Sequence, residues 1–358
     1  KQIQGINSVA LGYQAGNDNQ GNECVAVGYQ AGYTNQGAYA VSVGSNAGYL
    51  NQQAQAVAIG YLAGNDGQGI SAVALGESAG YSNQSSLAVA IGLEAGNYGQ
   101  GYQGIAVGWQ AAANNQGVSA IAIGTNAGNN NQAASSISIG NYVGGFDGQY
   151  SQGTGSISIG NKSAQYIQAN NAVAIGSNAG QTLQQDGAIA VGYQAGAETQ
   201  GTYAVAIGVN AGSQTQGQYS VAVGYNTGQI AQYENCIAIG YNSGQASQGQ
   251  YGTQPGYSVS LGYQAGRTNQ GGNCIAIGQS AGNSGQLYQA IAIGMTSGEL
   301  VQGTGAVAVG CVSGYQTQGS GAVAIGSNAG AFTQGDLGIA VGSYSGNIGQ
   351  KRNAIAMG

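Results

Sequence analysis

Ala56-Val57-Ala58-Ile59-Gly60-Tyr61-Leu62-Ala63-Gly64-Asn65-Asp66-Gly67-Gln68 is followed sixteen residues later by Ala72-Val73-Ala74-Leu75-Gly76-Glu77-Ser78-Ala79-Gly80-Tyr81-Ser82-Asn83-Gln84. Residues of matching type recur at the same step, and the repeat decides the fold. Gly12, Gly28, Gly44, Gly60, Gly76, Gly92, Gly108 and Gly124 keep it, as do Gln20, Gln36, Gln52, Gln68, Gln84, Gln100 and Gln116. With position 1 at Gly5, the 358 residues form 21 full units from 5 to 350, with partial units at both ends. Nineteen units have 16 residues, one has 20 (133–152) and one has 22 (233–254), so 1–358 reads as a single repeat domain. Both insertions are placed after position 12, at one edge of the unit.

Position 5 is always Val or Ile, position 6 always Ala or Ser, position 8 always Gly, and position 16 always Gln. Position 7 is Val, Ile or Leu until Met357. Large and small residues alternating with period two form a short strand with two distinct faces. A helix is excluded, because residues at i and i+2 diverge around it and Gly punctuates each half-unit. The second half-unit reads as a Gly-rich turn and a more polar short strand. One unit cannot bury its own Val/Ile pair, whereas stacked units can. The sequence therefore predicts an all-β fold, a parallel β-solenoid or β-roll of about 22 coils with a 16-residue repeat. At ~4.8 Å per rung, such a stack is a rod on the order of 100 Å long.

Within that frame, positions 5 and 7 are expected to form the internal apolar ladder, with the Ala or Ser of position 11 in the corner beneath. Gly at positions 8 and 12 supplies positive φ or close approach. The Gln of position 16 reads as an inward amide bonded to the Gln of the next coil, the alternative being a row of amides displayed to a ligand. The Ala/Ser/Gly face of positions 4, 6 and 8 is expected to face outward and to pack against a partner chain or an ordered surface. Tyr13, Tyr29, Tyr61, Trp109, Tyr193, Tyr225, Tyr241 and Tyr263 share position 9 and form an aromatic surface row. They either cover the Gly-rich corner or stack on a ligand such as a sugar.

Composition narrows the function. Only 4% of residues are charged, against roughly 25% in an ordinary soluble domain, and there is no histidine, the commonest general base and metal ligand. The eleven carboxylates are scattered along the turns without pairing. Net charge is −6 with five basic residues, which argues against nucleic acid as a partner. No apolar run approaches the ~18–20 residues of a membrane span. Cys24, Cys236 and Cys274 share position 4 and Cys311 takes position 9, without metal-binding or disulfide spacing. Asn83-Gln84-Ser85 and Asn161-Lys162-Ser163 fit the glycosylation sequon. No cofactor, metal or catalytic residue is expected.

Asn7-Ser8-Val9-Ala10-Leu11-Gly12, Ala172-Val173-Ala174-Ile175-Gly176-Ser177-Asn178-Ala179-Gly180 and Ala322-Val323-Ala324-Ile325-Gly326 carry a resemblance. They resemble the S-V-A-I-G repeats of trimeric autotransporter adhesin heads and are similar to Gly/Ala-Ile-Gly repeats of phage and large-virus fibre proteins. The resemblance implies a β-roll, parallel packing of three chains, and an extracellular, cell-surface or virion-surface location. The present unit is longer and has an invariant Gln that the adhesins do not require.

These readings converge on a non-enzymatic, extracellular structural or adhesive fibre protein. It is expected to self-associate, as a trimer or filament, through the Ala/Ser/Gly face, with its open end rungs stacking end to end. The alternative is a binding module whose regular face recognises a periodic ligand, a polysaccharide or ice, or a host surface.

Overall fold

A computed structural model describes residues 4–145, 151–250 and 256–358. It shows an all-β parallel solenoid of about 21 turns. Two compact units make up the chain, Lys1–Thr182 and Leu183–Gly358. In the first, position 5–7 strands stack in parallel from Val9–Leu11 to Val173–Ile175; Val57 pairs with Val73, Ala58 with Ala74 and Ile59 with Leu75. In the second, they run from Ile189–Val191 to Ile355–Met357 in the same register. A second set of pairings joins positions 14 and 16, as Asp18 to Thr34 and Gln20 to Gln36.

The period-two alternation is present, but its two faces are exchanged. Ala58, Ala74, Ala90 and Ala106 of position 6 are fully buried, as are Ala56, Ala72 and Cys24 of position 4. Ala47, Ala63 and Ala79 of position 11 meet them in one cluster. Val57 is half-buried and Ile59 is 37% exposed. Positions 5 and 7 therefore face outward, and the small-residue face expected at the surface is the interior. Volume explains the exchange. The interior already holds a glutamine side chain from every coil, and what remains beside it admits a methyl or a hydroxymethyl group. A Cβ built on Gly64 would lie 2.7 Å from Gln68 Oε1 and 3.2 Å from the Ala58 Cβ.

The corners follow from backbone sterics. Gly60 at position 8 has φ 133°, and a Cβ there would lie 2.7 Å from the carbonyl carbon of Gly76 in the next coil. Position 12 is left-handed at φ 51° in Gly64; Ala112 and Ala164 take the same conformation at 46° and 43°. Left-handed non-glycine residues also recur at positions 3, 10 and 15, where Asn is the least strained choice. Asn7, Asn46 and Asn35 are examples. This accounts for the wealth of Asn in a chain with one proline.

The two insertions fall at different places in the repeat. In the 20-residue unit the extra residues fall between Gly145 and Gln152, after position 12. In the 22-residue unit Gln248 takes the ladder place: it accepts from Gln232 at 2.9 Å and pairs with Gln270. The extra residues therefore follow the ladder glutamine instead of position 12, and Gln254 lies outside the described residues.

Candidate functional site

The buried glutamines are the most repeated polar feature. Gln20, Gln36, Gln52, Gln68, Gln84, Gln100 and Gln116 are all buried. Gln68 Nε2 donates to the carbonyls of Val57 at 2.8 Å and Ala72 at 3.3 Å, and to Gln84 Oε1 at 3.1 Å. Because the carbonyls can only accept, they fix which end of each amide is nitrogen. From Gln36 to Gln100 and from Gln184 to Gln248, each Nε2 donates to the next Oε1. The inward ladder is thus the structure's arrangement. A partial outer counterpart joins Asn19 Nδ2 to Asn35 Oδ1 at 3.2 Å and Asn35 Nδ2 to Asn51 Oδ1 at 3.1 Å. Sequence inspection passed over this column, although Asn recurs there.

The surface of interest is the outward side of positions 5, 7 and 9. Strands Val221–Tyr225 and Ile237–Tyr241 are long enough to show the three positions on one face, with Val221 opposite Ile237, Val223 opposite Ile239 and Tyr225 opposite Tyr241. Two aliphatic columns free of charge are thus bordered by position 9, which is aromatic in eight of the 21 full units. Ile91 and Ile175 of position 7 are each 37% exposed; Ile91 pairs in register with Leu75 and Val107, and Ile175 with Ile159.

The position 9 residues Tyr13, Tyr29, Tyr61, Trp109, Tyr193, Tyr225, Tyr241 and Tyr263 are all exposed. Where they fall in consecutive coils they stack on one another. Tyr225–Tyr241 and Tyr241–Tyr263 have ring centroids 5.1 and 5.3 Å apart with planes within 8° and 6°; Tyr13–Tyr29 lies at 5.4 Å. Tyr33–Tyr49 and Tyr203–Tyr219 stack in other columns at 5.0 and 5.8 Å. Ring faces in these runs are turned to each other, so edges are what they offer to solvent. A sugar ring needs a free aromatic face, which in this column the ends of a run and the isolated Tyr61, Trp109 and Tyr193 can give.

Elsewhere, a cleft of about 250 Å³ is lined by Glu94, Asn97, Tyr98, Gln110, Asn114 and Asn129, among others. Its one carboxylate accepts from Gln110 Nε2 at 2.7 Å. Among the described residues no group of three or more Cys, Asp or Glu could hold a metal, and no helix is long and apolar enough to cross a membrane.

The four cysteines are free, with Cys24, Cys236 and Cys274 buried and Cys311 partly exposed. Burial pushes the Cys24 thiol up, Cys236 up to about 11 and Cys274 up to about 12 from an ordinary 9.0. Only a thiolate reacts, so a thiol reagent at neutral pH should titrate one group per native chain, Cys311, and four after unfolding. The folded chain holds Cys236 and Cys274 protonated, whereas the unfolded chain releases their protons from about pH 9. Their contribution to stability is therefore full below pH 9 and lost as pH rises toward 12. Alkaline melts of Cys236→Ala and Cys274→Ala should fall less steeply with pH than the wild type, and parallel slopes would refute the assignment.

Comparison of the chain with known protein families, with curated proteins and with solved structures finds no match.

Proposed function

We propose that this chain is a non-enzymatic, extracellular structural or adhesive fibre protein that assembles by docking its outward Val/Ile columns on those of further copies. The observation that carries this reading is the pair of aliphatic columns at positions 5 and 7, without a charge in any coil. Two columns about 10 Å wide over eleven rungs of ~4.8 Å give a strip of roughly 500 Å² in each unit. The largest apolar patch of an ordinary monomer is about 300–600 Å², and a standard interface takes about 800 Å² per partner. The strip of either unit alone approaches the upper end of that patch range. A second copy has the same rung spacing, so its methyl columns fit between these at every rung, which no irregular partner can do. The likeness to adhesin-head and fibre-protein repeats supports parallel packing of several copies, and the Ala/Ser/Gly face, being interior, has no part in it.

A polysaccharide or ice would meet the same strip, but Val, Ile, Leu and Met carry no hydroxyl there and offer such ligands no hydrogen bond. Light scattering on the purified chain should give a multiple of 35.2 kDa at micromolar concentration. Ile91→Lys with Ile123→Lys, both outward, should bring the mass down toward one chain while the single chain keeps its β circular dichroism at 25 °C, because a Lys stem lies along the surface with its ammonium in water. A single-chain mass for the wild type would overturn the proposal.

A further inference from the structure

The molecule has one abundant reactive side chain outside its interior. It contains 24 Tyr against two Phe and one Trp, while three of its four thiols are buried and all four are free. Tyr225, Tyr241 and Tyr263 form a continuous run, each 44–49% exposed. Their rings are parallel, one rung apart, at 5.1 and 5.3 Å. Parallel backbone pairing sets Tyr225 directly opposite Tyr241.

We propose that the stacked tyrosine runs are sites of oxidative cross-linking, in which neighbouring coils are joined through dityrosine by a peroxide-driven one-electron oxidant. The oxidant removes one electron and the phenolic proton from each of two adjacent tyrosines. The two phenoxyl radicals form a carbon–carbon bond between ring positions ortho to oxygen. The hydrogen on each of those carbons then moves to its oxygen and restores the aromatic ring. The pair is lighter by two hydrogens, and the two electrons and two protons convert one hydrogen peroxide to two waters. The solenoid's part is to hold the rings parallel and one rung apart before oxidation, so that coupling within the chain outruns encounter between chains. Exposure lets the rings turn the small amount that coupling needs and admits the oxidant to their edges. The link spans residues 16 or 22 apart, closing one coil onto the next, as a disulfide would in a chain with paired cysteines.

The test is treatment of the full chain with a haem peroxidase and hydrogen peroxide, followed by dityrosine fluorescence and peptide mass spectrometry. Expected are links Tyr225–Tyr241, Tyr241–Tyr263 and Tyr13–Tyr29, each two hydrogens lighter than the parent peptides, in a yield unchanged across a wide dilution series. Tyr241→Phe keeps the ring and the stack. It should abolish both links through position 241 while Tyr13–Tyr29 still forms. Yield that falls with dilution would overturn the proposal, as would absence of dityrosine. Links involving Tyr61, which lacks an aromatic neighbour in its column, in equal amount to the stacked pairs would do so too.

Discussion

Ala174→Leu should destabilise its unit by about 3 kcal/mol or more, while Ile175→Lys, one residue further along the same strand, should change stability by about 1 kcal/mol or less. The two side chains leave opposite faces of one strand: Ala174 is fully buried and Ile175 is 37% exposed. Inside, the equivalent Ala58 lies 3.2 Å from a Cβ built on Gly64, which itself would lie 2.7 Å from Gln68 Oε1, so three added carbons at Ala174 force side chains off their rotamers or push the sheets apart. Outside, a lysine stem replaces an isoleucine against its stacked neighbours and the ammonium reaches water. In a solenoid the damage is local, because each coil contacts only its neighbours. The loss should therefore be read both in the thermal midpoint and in amide exchange of the coils around residue 174. Equal midpoints for Ala174→Leu and wild type would contradict the interior assignment.

Gln68→Ala should be comparably severe, at about 3–5 kcal/mol. The substitution removes the donor that serves Val57 O, Ala72 O and Gln84 Oε1, and the acceptor for Gln52 Nε2 at 3.0 Å. Each buried acceptor left without a donor costs about 1–3 kcal/mol, and the deleted side chain leaves a void that the rigid coil cannot close. Ser42, whose hydroxyl donates to Gln52 Oε1 at 2.7 Å, shows that an interior hydroxyl can share this network. Gln68→Glu adds a pH signature. A carboxyl buried here favours its neutral form, so its folded pKa rises above the unfolded value near 4.3. That variant should approach wild-type stability in acid and lose it as pH rises. Chemical denaturation at pH 4 and pH 7 measures the difference; no difference would place the side chain in water.

The sixteen-residue step, the short strand at positions 5–7, the glycine corners and the inward Gln were legible because each follows from local chemistry. Gly60 and Gly64 stand where positive φ and close approach are required, and Gln68 is a long amide in a place that never varies. Which strand face is buried was not legible from hydropathy. Val57 and Ile59 are more apolar than Ala58, and ordinary burial rules put them inside. The steric pattern carried the answer: position 6 never exceeds Ala or Ser, whereas position 7 accepts Val, Ile, Leu and Met. A site that tolerates several sizes borders open space, and one that excludes a single extra carbon is enclosed. The object packed against the small residues is the chain's own glutamine, where a partner chain was expected.

The candidate site was legible in part for the same reason. The position 9 aromatics are at the surface as expected, but their face-to-face stacking follows from the rung spacing of the parallel sheet, which no local sequence pattern states. The ladder place of Gln248 could have been found by counting sixteen from Gln232. A rival glutamine six residues later, Gln254, obscured it.

The inside-out arrangement is tested most directly by thiol accessibility. Cys24 sits fully buried at position 4 and serves as an internal standard, with Cys311→Ser removing the partly exposed thiol. Ile59→Cys then places a thiol at an outward position of an otherwise identical strand. At dilutions where chains are single, the introduced thiol should be modified at a rate near that of a free cysteine, and Cys24 only when the coil unfolds. Rapid modification of Cys24 with protection of the thiol at residue 59 would show Val and Ile inside and would contradict both the fold's interior and the assembly built on its exterior.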